Sequence, residues 1–110
     1  MTRQSEMEGK CFMQKDIFPF IEEVIEDLCI QSGKASHAAI VLELLKHTQA
    51  SAIVERAIKR CPKFDPEWMA GNMVDWLSAY YGTRKDLIDF HLRFRREKEN
   101  DCWTYIRRRS

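Results

Sequence analysis

A mainly α fold, with four helices closed by one C-terminal β-hairpin, is what this sequence predicts, on three observations. Apolar residues recur at spacings of three and four in four successive segments between Asp16 and Tyr81, the mark of one buried stripe per helix. From Phe90 the period falls to about two, the spacing of a half-buried strand. The chain has 110 residues, 45% of them hydrophobic and 32% charged, which suits a single compact domain rather than a disordered chain or two domains.

The first helix spans Asp16 to about Gln31, with Ile17, Phe20, Ile21, Val24, Ile25 and Leu28 on one stripe. Pro19 falls in its first turn, where a missing N–H costs nothing, and Gly33 supplies the stop. Glu22, Glu23, Glu26 and Asp27 make the opposite side acidic, which reads as a solvated face. Ser36 is a good N-cap for a second helix over His37 to His47, its inner side made by Ile40, Val41, Leu44 and Leu45. A third starts near Ser51, buries Ile53, Val54, Ala57, Ile58 and Cys61, and projects Arg56, Lys59, Arg60 and Lys63. Cys61-Pro62 ends it, because the residue before proline disfavours helical backbone.

Asp65-Pro66-Glu67 opens the fourth helix with a cap, a first-turn proline and an early carboxylate. Trp68, Met69, Met73, Trp76, Leu77 and Tyr80 form its stripe, and Gly82 marks its end. The hairpin then pairs Phe90-His91-Leu92-Arg93-Phe94-Arg95 with Cys102-Trp103-Thr104-Tyr105-Ile106-Arg107 around a charged turn from Arg96 to Asp101. Phe90, Leu92 and Phe94 are expected to face the helices together, since alternate residues of a strand share a face. The expected organisation is a flexible arm over residues 1–15, a domain over residues 16–107 and a basic tail over residues 108–110.

Composition narrows the function classes. No apolar run approaches the roughly 18 to 20 residues that span a bilayer, so no membrane partner is expected. The polar first ten residues do not read as a secretory signal, and a cytoplasmic protein is the expectation. Cys11, Cys29, Cys61 and Cys102 include no closely spaced pair of the kind that anchors a zinc site, so four free thiols and no metal are expected. His37, His47 and His91 match no nucleophile spacing, and the four glycines are isolated rather than gathered in a phosphate loop. Neither catalysis nor a cofactor is expected.

The formal net charge of +1 hides a gradient. Residues 1–83 hold nine Lys and Arg against twelve Asp and Glu, whereas residues 84–110 hold nine against five. The last quarter is therefore a local attractor for anions in a nearly neutral chain.

Helices followed by a basic hairpin resemble the winged helix-turn-helix superfamily; the resemblance covers residues 16–107 and rests on element order and hairpin pattern. It implies a four-helix winged-helix-like domain with a C-terminal β-hairpin, in which residues 65–81 enter the major groove and the hairpin's charged turn rests on phosphate. This chain departs from that pattern: residues 65–81 contain no Lys or Arg, and phosphate contacts dominate DNA affinity. The expected nucleic-acid contacts are therefore Arg93, Arg95, Arg96, Lys98, Arg107 and Arg108 of the hairpin and tail, with Arg56, Lys59 and Arg60 of the third helix. Asn72 is the base-reading candidate of the fourth helix, since Asn pairs with adenine.

Two functions from different classes stay open. One is a non-catalytic DNA-binding module, a regulator or accessory subunit that holds double-stranded DNA through hairpin and tail. The other is a protein-interaction or dimerisation module that docks a protein partner or a second copy through the acidic first helix or the Trp-rich fourth.

Overall fold

A computed structural model describes residues 15–84 and 87–108 and shows a mainly α protein with a small antiparallel sheet at its C-terminal end. A 3-10 turn at Lys15–Ile17 leads into α1 (Phe18–Ser32). Then come β1 (Lys34–Ala35), α2 (His37–Lys46), α3 (Thr48–Arg60), α4 (Pro66–Thr83), α5 (Ile88–Arg93), β2 (Phe94–Glu99) and β3 (Cys102–Arg107). Of the expected arm only Lys15 falls within the described residues, and of the tail only Arg108.

Each helix end has a local cause. Gly33 takes a left-handed φ of 85° and returns its N–H to the Cys29 carbonyl, a conformation that a Cβ disfavours. Ser36 caps α2 by accepting the Ala39 N–H at 3.2 Å, and Asp65 caps α4 by accepting that of Trp68 at 2.7 Å. The third helix starts at Thr48 rather than Ser51, because His47 ends α2 and also caps α3. No residue of the usual capping set stands there, so the sequence carries no signal for this start.

The core lies where α1, α2 and α4 meet the sheet. Ile21, Ile25, Ile40, Leu44, Met69, Met73, Leu77 and Tyr105 are fully buried, each apolar chain stabilising the fold by about 1.5 to 3 kcal/mol. α4 contributes the most buried residues of any helix: Met69, Ala70, Gly71, Met73, Val74, Leu77, Ser78 and Tyr81. Its expected stripe is partly corrected: Trp68 is exposed, Trp76 and Tyr80 are half-buried, and Ser78, outside that stripe, lies inside.

The hairpin is present but begins later than expected. Residues Ile88–Arg93 form a short helix, and β2 starts only at Phe94. Phe90 and Phe94 are buried as expected, yet Leu92 is 68% exposed. Two phenylalanines four apart fit one face of a helix as well as one face of a strand; Leu92 alone distinguishes the two, and it points to helix. The charged turn shrinks to Asn100 and Asp101, both at positive φ (50° and 63°). That suits a two-residue type I′ loop, which Asn and Asp tolerate best after glycine.

The sequence offered no sign of β1. It adds two residues to the free edge of β3, Lys34 opposite Ile106 and Ala35 opposite Tyr105, so the sheet runs β1-β3-β2. The cysteine expectation fails at Cys61, which is disulfide-bonded; Cys29 and Cys102 are free, and Cys11 lies outside the described residues. Wide spacing along a chain does not prevent bonding, because folding sets the distance between the two Cα atoms. A disulfide also removes the cysteine argument for a cytoplasmic location.

Candidate nucleic-acid interface

The hairpin register sets which cations can face outward. Phe94 lies opposite Arg107, Arg96 opposite Tyr105 and Lys98 opposite Trp103, so these residues share one face of the sheet. Arg96 is drawn inward there. It lies over the Trp103 ring at 4.2 Å and donates to the Ser78 carbonyl at 2.9 Å. A Cβ on Gly82 would come within 3.0 Å of its guanidinium, so the glycine at the end of α4 leaves room for this arginine. The Lys98 ammonium lies 5.6 Å from the centre of the same ring.

Arg93 is more firmly held. Its guanidinium bonds Glu22 at 3.3 Å, Glu26 at 3.2 Å and Asp89 at 3.0 Å, tying α5 to α1. Glu22 also accepts the Tyr81 hydroxyl at 2.7 Å. Glu22 and Glu26, expected on a solvated acidic face, are half-buried acceptors of this cluster. Their spacing of four on α1, matched by Asp89 and Arg93 on α5, was visible in the sequence; their meeting was not.

The other hairpin cations are only partly engaged. Arg95 pairs with Glu97 two residues along the same strand. Arg108 donates its backbone N–H to the Arg93 carbonyl at 2.7 Å and its Nε to that of His91 at 2.8 Å. Lys98, Arg107 and Arg108 are exposed. Glu99 sits 3.9 Å from Lys34, so acids interleave with the bases along this edge.

The α3 cations are arranged differently. Arg56, Lys59 and Arg60 are all exposed on the side away from buried Ala50, Ile53, Val54 and Ala57. Arg56 reaches Asp16 at 3.5 Å, a pair exposed enough to contribute at most about 1 kcal/mol. A shallow groove runs beside them, lined by Phe20, Gln49, Ala52, Arg56 and Lys59 together with the carboxylates of Asp16 and Glu55.

Asn72 is half-buried on α4, in a groove with His37, Glu67, Trp68 and Asp75. His37 donates through Nε2 to Asp75 at 3.1 Å and towards the Gly71 carbonyl at 3.2 Å. The surroundings of Asn72 are acidic, and phosphate is repelled there. The structure thus leaves Arg95, Lys98, Arg107 and Arg108 exposed on the hairpin, Arg95 on the opposite face of the sheet from Lys98 and Arg107, and keeps Arg56, Lys59 and Arg60 together on α3. Arg93 and Arg96 turn towards the protein, and Asn72 sits beside neither cation group.

Burial shapes the ionisable groups behind this surface. Tyr105 is fully buried and shares a hydrogen bond with Ser78; burial pushes its phenol above the usual range, against the lowering effect of the Ser78 bond and nearby Arg96. Burial, and then the bond to Glu22, pushes the Tyr81 phenol up strongly. Burial likewise raises the Cys29 thiol, which donates to the Tyr105 carbonyl at 3.6 Å.

Among the described residues no group of three or more His, Cys, Asp or Glu is placed to hold a metal ion, and no helix is long and apolar enough to cross a membrane. Comparison with known protein families, characterised proteins and solved structures returned no match.

Proposed function

We propose that the protein is a non-catalytic, winged-helix-like DNA-binding module, a regulator or accessory subunit. In this reading it holds the phosphate backbone through the outer cations of α3 together with those of the hairpin. The observation that carries it is the ridge of Arg56, Lys59 and Arg60, exposed on one helix in a chain of net charge only +1. The sheet order β1-β3-β2, with its first strand directly after the first long helix, supports the winged layout inferred from element order. The contact is electrostatic and largely indifferent to sequence, because the exposed side of α4 offers acids rather than cations.

Fluorescence titration of a labelled duplex at two salt concentrations tests this. The expected result is binding at low salt that weakens with added salt; Lys59→Ala with Arg60→Ala should lower the slope of log K against log salt by about two. No detectable binding at low salt sinks the proposal.

A second reading, docking of a protein partner or a second copy, is favoured by α5. Ile88 and Leu92 lie one turn apart and are 60% and 68% exposed, an apolar pair that a partner would cover. Concentration-dependent dimerisation in sedimentation, lost in Ile88→Ser with Leu92→Ser, supports this reading. A monomer at all concentrations removes the dimer.

A further inference from the structure

The junction between α2 and α3 is a single histidine whose two ring nitrogens perform different tasks. Nδ1 of His47 lies 3.2 Å from the Ala50 backbone nitrogen. A backbone N–H can only donate, so Nδ1 must offer a lone pair. The ring proton then sits on Nε2, which faces the Glu23 carboxylate of α1 at 3.6 Å. The ring packs on Phe20 with centroids 5.2 Å apart and is half-buried. Meanwhile the His47 backbone N–H closes α2 on Glu43 and Leu44, and its carbonyl accepts the Ser51 N–H at 2.8 Å to open α3.

We infer that His47 is a proton-sensitive cap: adding a proton at Nδ1 removes the acceptor that starts α3 and loosens the α2–α3 junction. An imidazolium carries an N–H at both positions, so it meets the Ala50 N–H donor to donor and the cap bond is lost. Nε2 keeps its proton and its attraction to Glu23, so the ring's favourable contact in the protonated form lies on α1 rather than α3. The charged groups around the ring are Glu23 and Asp27 from α1, and Glu43 with Lys46 from α2, the last two paired at 3.7 Å. On α3 no charged residue precedes Glu55; the Ala50 backbone N–H is the group of its first turn that meets Nδ1.

The inference stands on this geometry and is independent of the DNA reading, although α3 also carries the cations assigned to phosphate. Two measurements on the full chain test it. Long-range ¹H–¹⁵N spectra of the ring at neutral pH should show the proton on Nε2 and a bare Nδ1. Amide hydrogen exchange should show the protection factor of Ala50 falling by about five- to tenfold as the ring titrates, the size expected when a helix loses its N-cap; the Ile40 amide, inside α2, should not follow. His47→Asn supplies a cap that does not titrate, and it should hold Ala50 protection flat across the same range. A proton on Nδ1 at neutral pH, Ala50 protection unchanged through the ring titration, or the same step in His47→Asn would each overturn the inference.

Discussion

The hairpin and α3 look alike as strings of letters and behave differently as surfaces. Each is a short basic segment, yet in α5 and the hairpin that follows it Arg93 and Arg96 turn towards the protein to join elements, while on α3 Arg56, Lys59 and Arg60 stay outside. The cause is what each segment packs against. The hairpin follows α5 onto a helical body that offers the Glu22 and Glu26 carboxylates and the Ser78 carbonyl within arginine reach. α3 buries a continuous apolar side, so its cations are left opposite the core. A count of basic residues therefore overstates the hairpin as an anion surface and understates its arginines as structural ties.

The largest expected effect breaks the comparison at its boundary. Phe90→Ala should destabilise the fold by about 3 to 5 kcal/mol, as loss of a buried aromatic does, because Phe90 packs on Tyr81, Phe94 and Tyr105. Leu92→Ala should stay within about 0.5 kcal/mol. Urea unfolding of both decides the point: equal losses would restore a strand through residues 90–94.

Arg93→Ala should cost about 1 to 3 kcal/mol, because it leaves half-buried Glu22 and Glu26 without their shared cation. Lys59→Ala should change stability by no more than about 0.5 kcal/mol. The same urea series compares them, and similar values would erase the inner and outer distinction.

Alkali sharpens the contrast between inner and outer groups by another route. The Tyr81 and Tyr105 phenols are both raised in the folded protein. Above about pH 10, the ordinary tyrosine value, the unfolded chain releases protons that the folded one retains. Stability should hold below that pH and fall as pH rises beyond it; Tyr81→Phe should flatten the decline in denaturant midpoints. An undiminished decline in that variant would assign it to other groups.

Arg96→Ala should cost about 1 kcal/mol through its bond to the Ser78 carbonyl and its stacking on Trp103. Arg95→Ala, with only an exposed pair to Glu97, should cost a few tenths of that. If DNA is bound, salt titrations should reverse this order: Arg95→Ala lowers the slope and Arg96→Ala hardly changes it.

Periodicity was enough for α1, α2 and α4, because apolar spacing and the end signals at Pro19, Gly33, Ser36 and Asp65 point the same way. It failed at Ile88–Arg93, where phenylalanines four apart satisfy both periods. It also failed at β1, two residues whose only reason to be a strand is the edge of β3 beside them. Among the candidate site residues, Lys59, Arg60, Lys98 and Arg107 stand in solvent as a charged residue does by default. Arg93 and Arg96 do not, since their partners lie 67 and 18 positions away along the chain.

Local spacing and capping chemistry, which act within a few residues, were enough for the helical body, for the helix ends marked by Pro19, Gly33, Ser36 and Asp65, and for the presence of a hairpin. The third strand, the short helix α5, the double use of His47 and the inward course of two arginines came only with the tertiary structure. Those depend on which groups from distant segments arrive within about 3 to 4 Å of one another, the range over which hydrogen bonds and ion pairs act.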